Sequence, residues 1–370
     1  MNNFMRYFVW LVLLAVCSNT TGANADDAIS RNQIALQAAN AVYDMPDINW
    51  LRSWRPIEDA FKTFFQHAPK GYRIAETLNA PESGLKAVIL APIEEADAST
   101  PWIVSIAGTE TLIDWLADGH FGADQYDGLA PLRDWAIKNH LAERELIVTG
   151  HSLGGGLAQA FAYAIERFRL KLGADTGRVH LVTWNAFGAE ALIERTMGFD
   201  PQIERGMDIY NYYVAGEPIS VLGRHLGPTY ELKAPHRRQF DKLMPRAVYR
   251  HKIASILQTV FEGPGRLETA RRKAPPLFKV INKASTQIEV FTHAADDAWD
   301  LREGIQIRKL GRELKRLAER GTRSREAQAA YNYLHGITVH LLSRLTRSEQ
   351  DRVRSEWLQG NDRKAFDGLF

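Results

Sequence analysis

Apolar residues recur along this chain with two different periods, and each change of period marks a change of structure. Five short runs rich in apolar and β-branched residues predict strands: Leu85–Ile93, Trp102–Ile106, Glu145–Thr149, Val179–Trp184 and Ile209–Val214. Between them, apolar positions three and four apart predict helices over Thr111–Ala117, Leu129–Asn139, Leu153–Phe168 and Ala189–Thr196. Helical spacing through Ile34, Ala38 and Val42 also marks Ile29–Tyr43, and a Trp- and Phe-containing region follows from Trp50 to Phe65. Strands that alternate with helices predict an α/β fold, with a mostly parallel sheet and helices on both faces.

Beyond about Gly263 the strand signals largely stop. Ile307, Leu310, Leu314 and Leu317 share one helix face while Arg and Lys fill the others, and two more helical stretches follow at Glu326–Leu345 and Glu349–Leu358. By pattern the chain has three parts: a leader over residues 1–25, a main α/β domain over 26–261, and a charged, all-helical extension over 262–370. The formal net charge of +2 on 370 residues hides an asymmetry, about +6 in the extension against about −5 in the main domain. That balance gives no reason to expect a nucleic-acid partner. The basic helix faces suit solvent, or peripheral contact with an anionic membrane, and no particular protein partner is indicated.

The leader changes the picture of where the protein works. Arg6 is the only charged residue before Asp26, Phe8–Cys17 is apolar, and Ala23-Asn24-Ala25 supplies a small-x-small cleavage pattern. This predicts export, to the periplasm or the extracellular space. The apolar run is about half the ~20 residues a bilayer span requires. Cleavage after Ala25 would remove Cys17, the single cysteine, leaving no thiol chemistry in the mature chain. In the rival reading Leu14-Ala15-Val16-Cys17 is a weak lipobox and Cys17 carries a lipid anchor.

Candidate chemistry centres on Gly150-His151-Ser152-Leu153-Gly154-Gly155-Gly156. A predicted strand precedes it and an Ala-rich predicted helix follows, which is the context a G-x-S-x-G nucleophile elbow requires. A tight bend of this kind leaves room only for small residues beside the serine, which Gly150 and Gly154 supply. Gly155 and Gly156 would let the helix lie close to the sheet despite costing about 1 kcal/mol each in helix propensity. Serine needs a base to take its proton and an acid to orient that base, and the oxyanion needs preorganised amide donors. Upstream, Ile103-Val104-Ser105-Ile106-Ala107-Gly108-Thr109 reads as a buried strand ending in a small, flexible turn. The backbone N–H of Thr109 is one candidate donor, and that of Leu153, next after the serine, is the other.

These residues carry a resemblance. Ile106-Ala107-Gly108-Thr109-Glu110-Thr111-Leu112-Ile113-Asp114-Trp115, followed by Thr149-Gly150-His151-Ser152-Leu153-Gly154-Gly155, is similar to the class 3 lipase family, over roughly Ile29–Leu257. The resemblance implies an α/β-hydrolase fold and hydrolysis of carboxyl esters. Two positions depart from the family pattern: Ala107 stands where Arg is usual, and Phe187 where Pro is usual. The family also implies that the short helix over 111–121, with Leu112, Ile113, Trp115 and Leu116, is a lid; a helix simply packed on the sheet is the other reading.

The acid is expected at Glu217, just past a predicted strand and before Pro218-Ile219, where the family usually has Asp. Asp208 is a reserve at the wrong end of that strand. Of eleven histidines, His251, His225 and His236 are the candidate bases. His251 sits at a loop–helix junction ahead of Ile253, Ile256, Leu257 and Val260, and the family's histidine segment looks similar to that stretch. His225 falls in the same loop excursion as Glu217, His180 lies inside a strand, and His151 projects away from Ser152 as a packing residue. The expectation is a Ser152–His251–Glu217 triad acting on lipid or other esters without a metal or organic cofactor. A phospholipase that acts on membranes, and a non-catalytic binder on the same scaffold, are the alternatives.

Overall fold

The computed structural model describes residues 27–46, 56–80, 85–93, 100–108, 123–174, 177–217, 219–234, 252–261, 267, 270–273, 312–317, 324–343 and 351. Eight strands form one sheet in chain order. They are β1 (Tyr72–Ala80), β2 (Leu85–Pro92), β3 (Trp102–Ile106), β4 (Leu146–His151), β5 (Val179–Trp184), β6 (Asp208–Val214), β7 (Thr229–Leu232) and β8 (Arg271–Arg272). From β3 to β7 all neighbours are parallel, whereas β1–β2, β2–β3 and β7–β8 are antiparallel. The five strands read in the sequence are all present. The sequence reading missed β1, β7 and β8. In β1 the run Ala75-Glu76-Thr77-Leu78-Asn79-Ala80 suits a helix as well as a strand, and the ladder is bulged between Ile74 and Glu76. Pairing with β2 decides its structure, not its own pattern.

Sequential strand order has a consequence for the helices. Parallel crossovers are right-handed, so connections that always step in one direction place their helices on one side. Those helices are α3 (Ala123–Gly128), α4 (Ala130–Lys138), α5 (Leu153–Leu172), α6 (Glu190–Met197) and α7 (Pro201–Arg205). Their apolar residues, among them Leu132, Phe161, Ile193 and Ile203, share one core with Val104, Ile106, Leu146, Val148 and Leu181. The alternate residues Ile103, Ile147, Val182, Trp184 and Tyr212 face the opposite side.

That second side is covered by the two ends of the chain. The first cover is α1 (residues 27–41), which continues into a 3-10 turn at Val42–Asp44. Two strand hydroxyls aimed at this face fasten α1: Ser105 Oγ donates to the Ala38 carbonyl at 3.0 Å and Thr149 Oγ1 to the Ala35 carbonyl at 3.3 Å. Asn32 Nδ2 donates to the Tyr212 hydroxyl at 2.8 Å. Buried hydroxyls in a sheet interior need such partners, and helix carbonyls supply them.

The rest of the cover comes from α2 (Ile57–His67), α8 (Ile253–Phe261), α9 (residues 312–317) and α10 (Arg325–Ser343). Leu314, Leu317, Ala329, Ala330, Tyr333 and Leu334 are buried in the same core as α1 and α2. Tyr333 meets the Phe61 ring edge-on at 5.7 Å between centroids. On α9 the Arg316 guanidinium grips Glu58 of α2 through two bonds of 2.8 and 2.9 Å, and its Nε donates to Glu313 at 2.8 Å. Apolar residues of α9 and α10 therefore join the sheet's second layer.

Leu334 is fully buried on α10, so Leu334→Ala should destabilise the whole protein by about 3 kcal/mol through lost burial and a cavity. Urea unfolding followed at the tryptophans should show one shifted transition. An unchanged midpoint would mean that α10 is not part of the common core.

Candidate active site

The candidate site lies at the carboxyl ends of the parallel strands, where open α/β sheets commonly present ligand-facing loops. At the end of β4 the chain reverses sharply into α5. Ser152 occupies the bend with φ 59° and ψ −127°, a backbone conformation that side-chain-bearing residues rarely adopt. Its N–H donates to the Trp184 carbonyl at 3.0 Å, and its carbonyl accepts from Gly155 and Gly156 at 3.1 and 3.3 Å. Those bonds hold both sides of the bend.

The glycines are required sterically. A Cβ on Gly150 would strike the Gly154 carbonyl, one on Gly154 the Ile106 carbonyl, and one on Gly156 the Phe187 ring. A Cβ on Gly155 would stand 2.5 Å from the Ala186 methyl. The bend is thus pressed against β3 on one side and the loop after β5 on the other. Phe187, where the family pattern has Pro, fills the space that Gly156 leaves open.

Leu153 is the first residue of α5 and is buried beside Ser152. Its N–H is one of the helix's first four, which have no acceptor within the helix, at the end where the dipole favours negative charge. Gly108, which closes the described part of the loop after β3, touches the same bend. A Cβ there would lie 2.7 Å from the His151 carbonyl and 3.1 Å from Ser152 Cβ. Thr109 and the helix expected over 111–121 lie outside the described residues.

Glu217 stands where the sequence placed it, three residues past the end of β6, and is buried. Its carboxylate accepts from the backbone N–H groups of Ile219, at 3.0 Å, and Ser220. Its own N–H donates to the Val214 carbonyl at 3.0 Å. The base of this loop is tied down by Asn185, whose φ is +44° and whose Oδ1 accepts the Val214 N–H at 2.8 Å. Gln159, buried in the middle of α5, donates to the Phe187 carbonyl at 2.8 Å and accepts the Leu226 N–H at 3.0 Å. Sequence reasoning missed both amides. The signal for Gln159 was a single polar residue within the apolar run Leu157–Ala162.

Among the candidate bases, His251 and His236 lie outside the described residues. The helix expected after His251 is present as α8, with Ile256 and Val260 in the core. His225 is buried, and its Nε2–H donates to the Ser220 carbonyl at 3.0 Å, while Nδ1 meets no acceptor or donor among the described residues. It thus braces the turn that holds Glu217. Burial holds the His225 imidazole below its ordinary range, against the opposing pull of the Ser220 carbonyl and the Glu217 charge. His151 is buried, and its Nδ1 lies 2.9 Å from the Tyr43 hydroxyl. His180 lies on β5 between Glu145, at 2.8 Å, and Asp208, at 3.1 Å, at the amino ends of the strands and away from Ser152. Asp208 is held below its ordinary carboxylate range first by its hydrogen bond to His180. Among the described residues no group of three or more His, Cys, Asp or Glu could hold a metal ion, and no helix is long and apolar enough to cross a membrane.

The chain matches the family model of the Tle-like phospholipase domain over residues 34–252. No curated protein sequence matches it significantly. Similar solved structures include a lipase from Rhizopus microsporus var. chinensis, at 15% identity, covering 55% of this chain and 74% of that one with a TM-score of 0.39. Lipase II from Rhizopus niveus is 14% identical, with 64% of this chain and 95% of that one covered and a TM-score of 0.42. The mono- and diacylglycerol lipase from Aspergillus oryzae is 15% identical over 57% of this chain and 81% of its own, with a TM-score of 0.39.

The depressed His225 value sets a stability trend. Above the ordinary value of 6.5 the ring is neutral in both folded and unfolded chains. As pH falls below it, the unfolded chain takes up the proton first, so stability declines until the lower folded value is reached. Chemical unfolding at pH 7.5 and pH 5 should show this loss, and His225→Gln, which keeps a donor for Ser220, should diminish it. An unaltered pH dependence in the variant would assign the loss to other groups.

Proposed function

We propose a function from one established premise: this chain belongs to the family of Tle-like phospholipase domains. It hydrolyses carboxyl esters of lipids through an acyl-serine intermediate on Ser152. The observation that carries this reading is the backbone of Ser152 itself, strained at φ 59° between a strand and a helix whose first amide, on Leu153, has no partner within the helix. A bend of that kind lifts a hydroxyl out of the sheet and leaves a positive helix end beside it. Both suit an attack that generates negative charge.

In this mechanism the imidazole of His251 takes the Ser152 proton as Oγ adds to the ester carbonyl carbon. The N–H groups of Leu153 and Thr109 receive the oxyanion, each worth a factor of about 10²–10³ in kcat. Collapse of the tetrahedral intermediate expels the alcohol, which leaves with the proton from His251. Water then repeats the sequence on the acyl-enzyme and releases the fatty acid. Glu217 fixes the imidazole and stabilises its charged form. The two backbone N–H groups that bind the Glu217 carboxylate hold it in place, as this role requires. Glu is longer than the usual Asp, and the turn at 219–220 supplies the extra anchoring its longer stem needs.

The family match favours phospholipid over triglyceride as the ester, and an exported enzyme would meet it at a membrane surface. Export is proposed on the leader pattern of Arg6, Phe8–Cys17 and Ala23-Asn24-Ala25. Mass spectrometry of secreted material should give a mature chain beginning at Asp26, and a lipid-modified Cys17 would replace this with the anchored form.

The wild-type protein should release fatty acid from phospholipid vesicles faster than from a triglyceride emulsion or a soluble short-chain ester. Ser152→Ala and His251→Ala should each lower turnover by at least about 10⁴-fold while remaining folded. A serine-directed phosphonate should label the wild type and not Ser152→Ala. Wild-type protein that stays unlabelled and inactive on all three substrates would overturn the reading, and a large loss from His225→Ala with little from His251→Ala would reassign the base.

A further inference from the structure

The loop after β3 leaves the sheet immediately before it reaches Ser152. Ala107 makes the last bond to a neighbouring strand, its N–H donating to the Lys86 carbonyl at 2.9 Å. The next amide, on buried Gly108, has no strand to pair with, and an unsatisfied buried N–H is costly. The Tyr43 hydroxyl takes it at 3.0 Å. The same hydroxyl lies 2.9 Å from Nδ1 of His151, the residue just before Ser152, and the two rings meet edge-on with centroids 5.9 Å apart. One phenol thus joins the amide of the loop to the imidazole on the elbow. Gly108 has no slack in this arrangement, since an added Cβ would stand 2.7 Å from the His151 carbonyl, 2.9 Å from the Tyr43 hydroxyl and 3.1 Å from Ser152 Cβ.

We propose that Tyr43 is a positioning residue for catalysis: its hydroxyl fixes the loop after β3 against Ser152, and α10 braces the turn that carries it. The proposal rests on the serine-hydrolase reading above and names a residue that reading does not require. Gly108 immediately precedes Thr109, so the Tyr43–Gly108 bond sets the starting point of the residue that would donate to the oxyanion. The Gly108 amide donates to the phenol oxygen, which lies in hydrogen-bond contact with Nδ1 of His151 as well.

Tyr43 can act as a fixed post because the turn bearing it is held on three sides. Before it, α1 is fastened to β3 and β4 through Ser105 and Thr149. Beside it, Asp44 accepts from His67 Nδ1 at 2.6 Å at the end of α2. After it, the Pro46 carbonyl accepts from the Tyr333 hydroxyl of α10, and Asn79 on β1 donates to both Tyr333, at 2.7 Å, and Pro46, at 3.3 Å. Tyr43, three residues before Pro46, links this brace to the elbow. Helix α10, remote from Ser152 in sequence, thereby supports the placement of the loop after β3.

The test compares full-length wild type with Tyr43→Phe, Tyr333→Phe and the double variant, using a soluble short-chain ester and the rate of phosphonate labelling at Ser152. Tyr43→Phe keeps the ring and its edge contact with His151 and removes only the hydroxyl. Because deleting a whole oxyanion donor costs about 10²–10³ in kcat, a displaced one should lower kcat by about 10- to 100-fold. KM should stay within about twofold, and the labelling rate should fall in parallel with kcat. Tyr333→Phe should give a smaller loss in the same parameter. The double variant should resemble Tyr43→Phe alone, since the two hydroxyls act through one turn. A Tyr43→Phe enzyme with wild-type kcat and labelling rate would overturn the proposal, as would losses in KM alone or strictly additive losses. If Tyr43→Phe lowers melting temperature too far to assay, Tyr333→Phe decides, and wild-type kcat there removes the brace. Failure of wild-type labelling is a separate outcome that counts against the serine-hydrolase reading itself.

Discussion

The close approach of three backbone segments around the bend at Ser152 is the constraint on which the rest of this molecule depends. The serine's positive φ persists only where the surrounding structure leaves it no alternative. Here the end of β3, the loop after β5 and the start of α5 all press on the bend, and side-chain atoms at positions 150, 154 or 156 would collide with them. Glycine at these positions is therefore a packing requirement. The cost in helix propensity at the start of α5 is offset by a helix that can seat directly on the sheet, its first amides beside the serine. Phe187 belongs to the same constraint, because its ring fills the volume a side chain at Gly156 would claim.

Polar groups buried around this bend are paired with a common logic. Asn185 ties β5 to β6, Gln159 ties α5 to the loops after β5 and β6, and Glu217 is held by two amides of its own turn. The Asn185 and Gln159 bonds join the loop of one strand to the next strand or to the helix behind them, and those of Glu217 close its own turn. Rigid loops at the carboxyl ends of a parallel sheet are what a preorganised site needs, since donors that must move during reaction lose much of their electrostatic advantage. The His180 cluster, with Glu145 and Asp208, does the corresponding work at the opposite ends of the strands, away from the bend.

What could be read in the sequence was local. The strand-turn-helix around Ser152 lies within one short segment, and the five strands of highest apolar content carry their own signal. Strand β1 does not, because its residues serve either structure and only pairing with β2 decides. The two arginines of β8 carry no apolar signal at all. Glu217 was legible by its position after an apolar strand, but the amides that hold it were not. Tyr43 was invisible for a related reason: it meets Gly108 from 65 residues away and His151 from 108. The extension past residue 262 read as a separate charged region because its composition is distinct. Apolar residues of α9 and α10 nonetheless enter the core shared with α1, since charge on the outward side of a helix says nothing about what its inward side meets.

Sequential strand order leaves one side of the sheet to be covered by segments from the two ends of the chain, and this affects how the protein is made. On a ribosome the last strand is synthesised roughly 70 residues before α10 is complete, an interval on the order of ten seconds at ~5–20 residues per second. Throughout it β1 and α2, the elements that α10 packs against, lack that part of their cover. The nascent protein thus exposes apolar surface of α2, including the Phe61 ring that Tyr333 later meets, until α10 arrives. Premature termination just short of α10 would make that transient state permanent, leaving the bend at Ser152 intact beside an uncovered apolar surface.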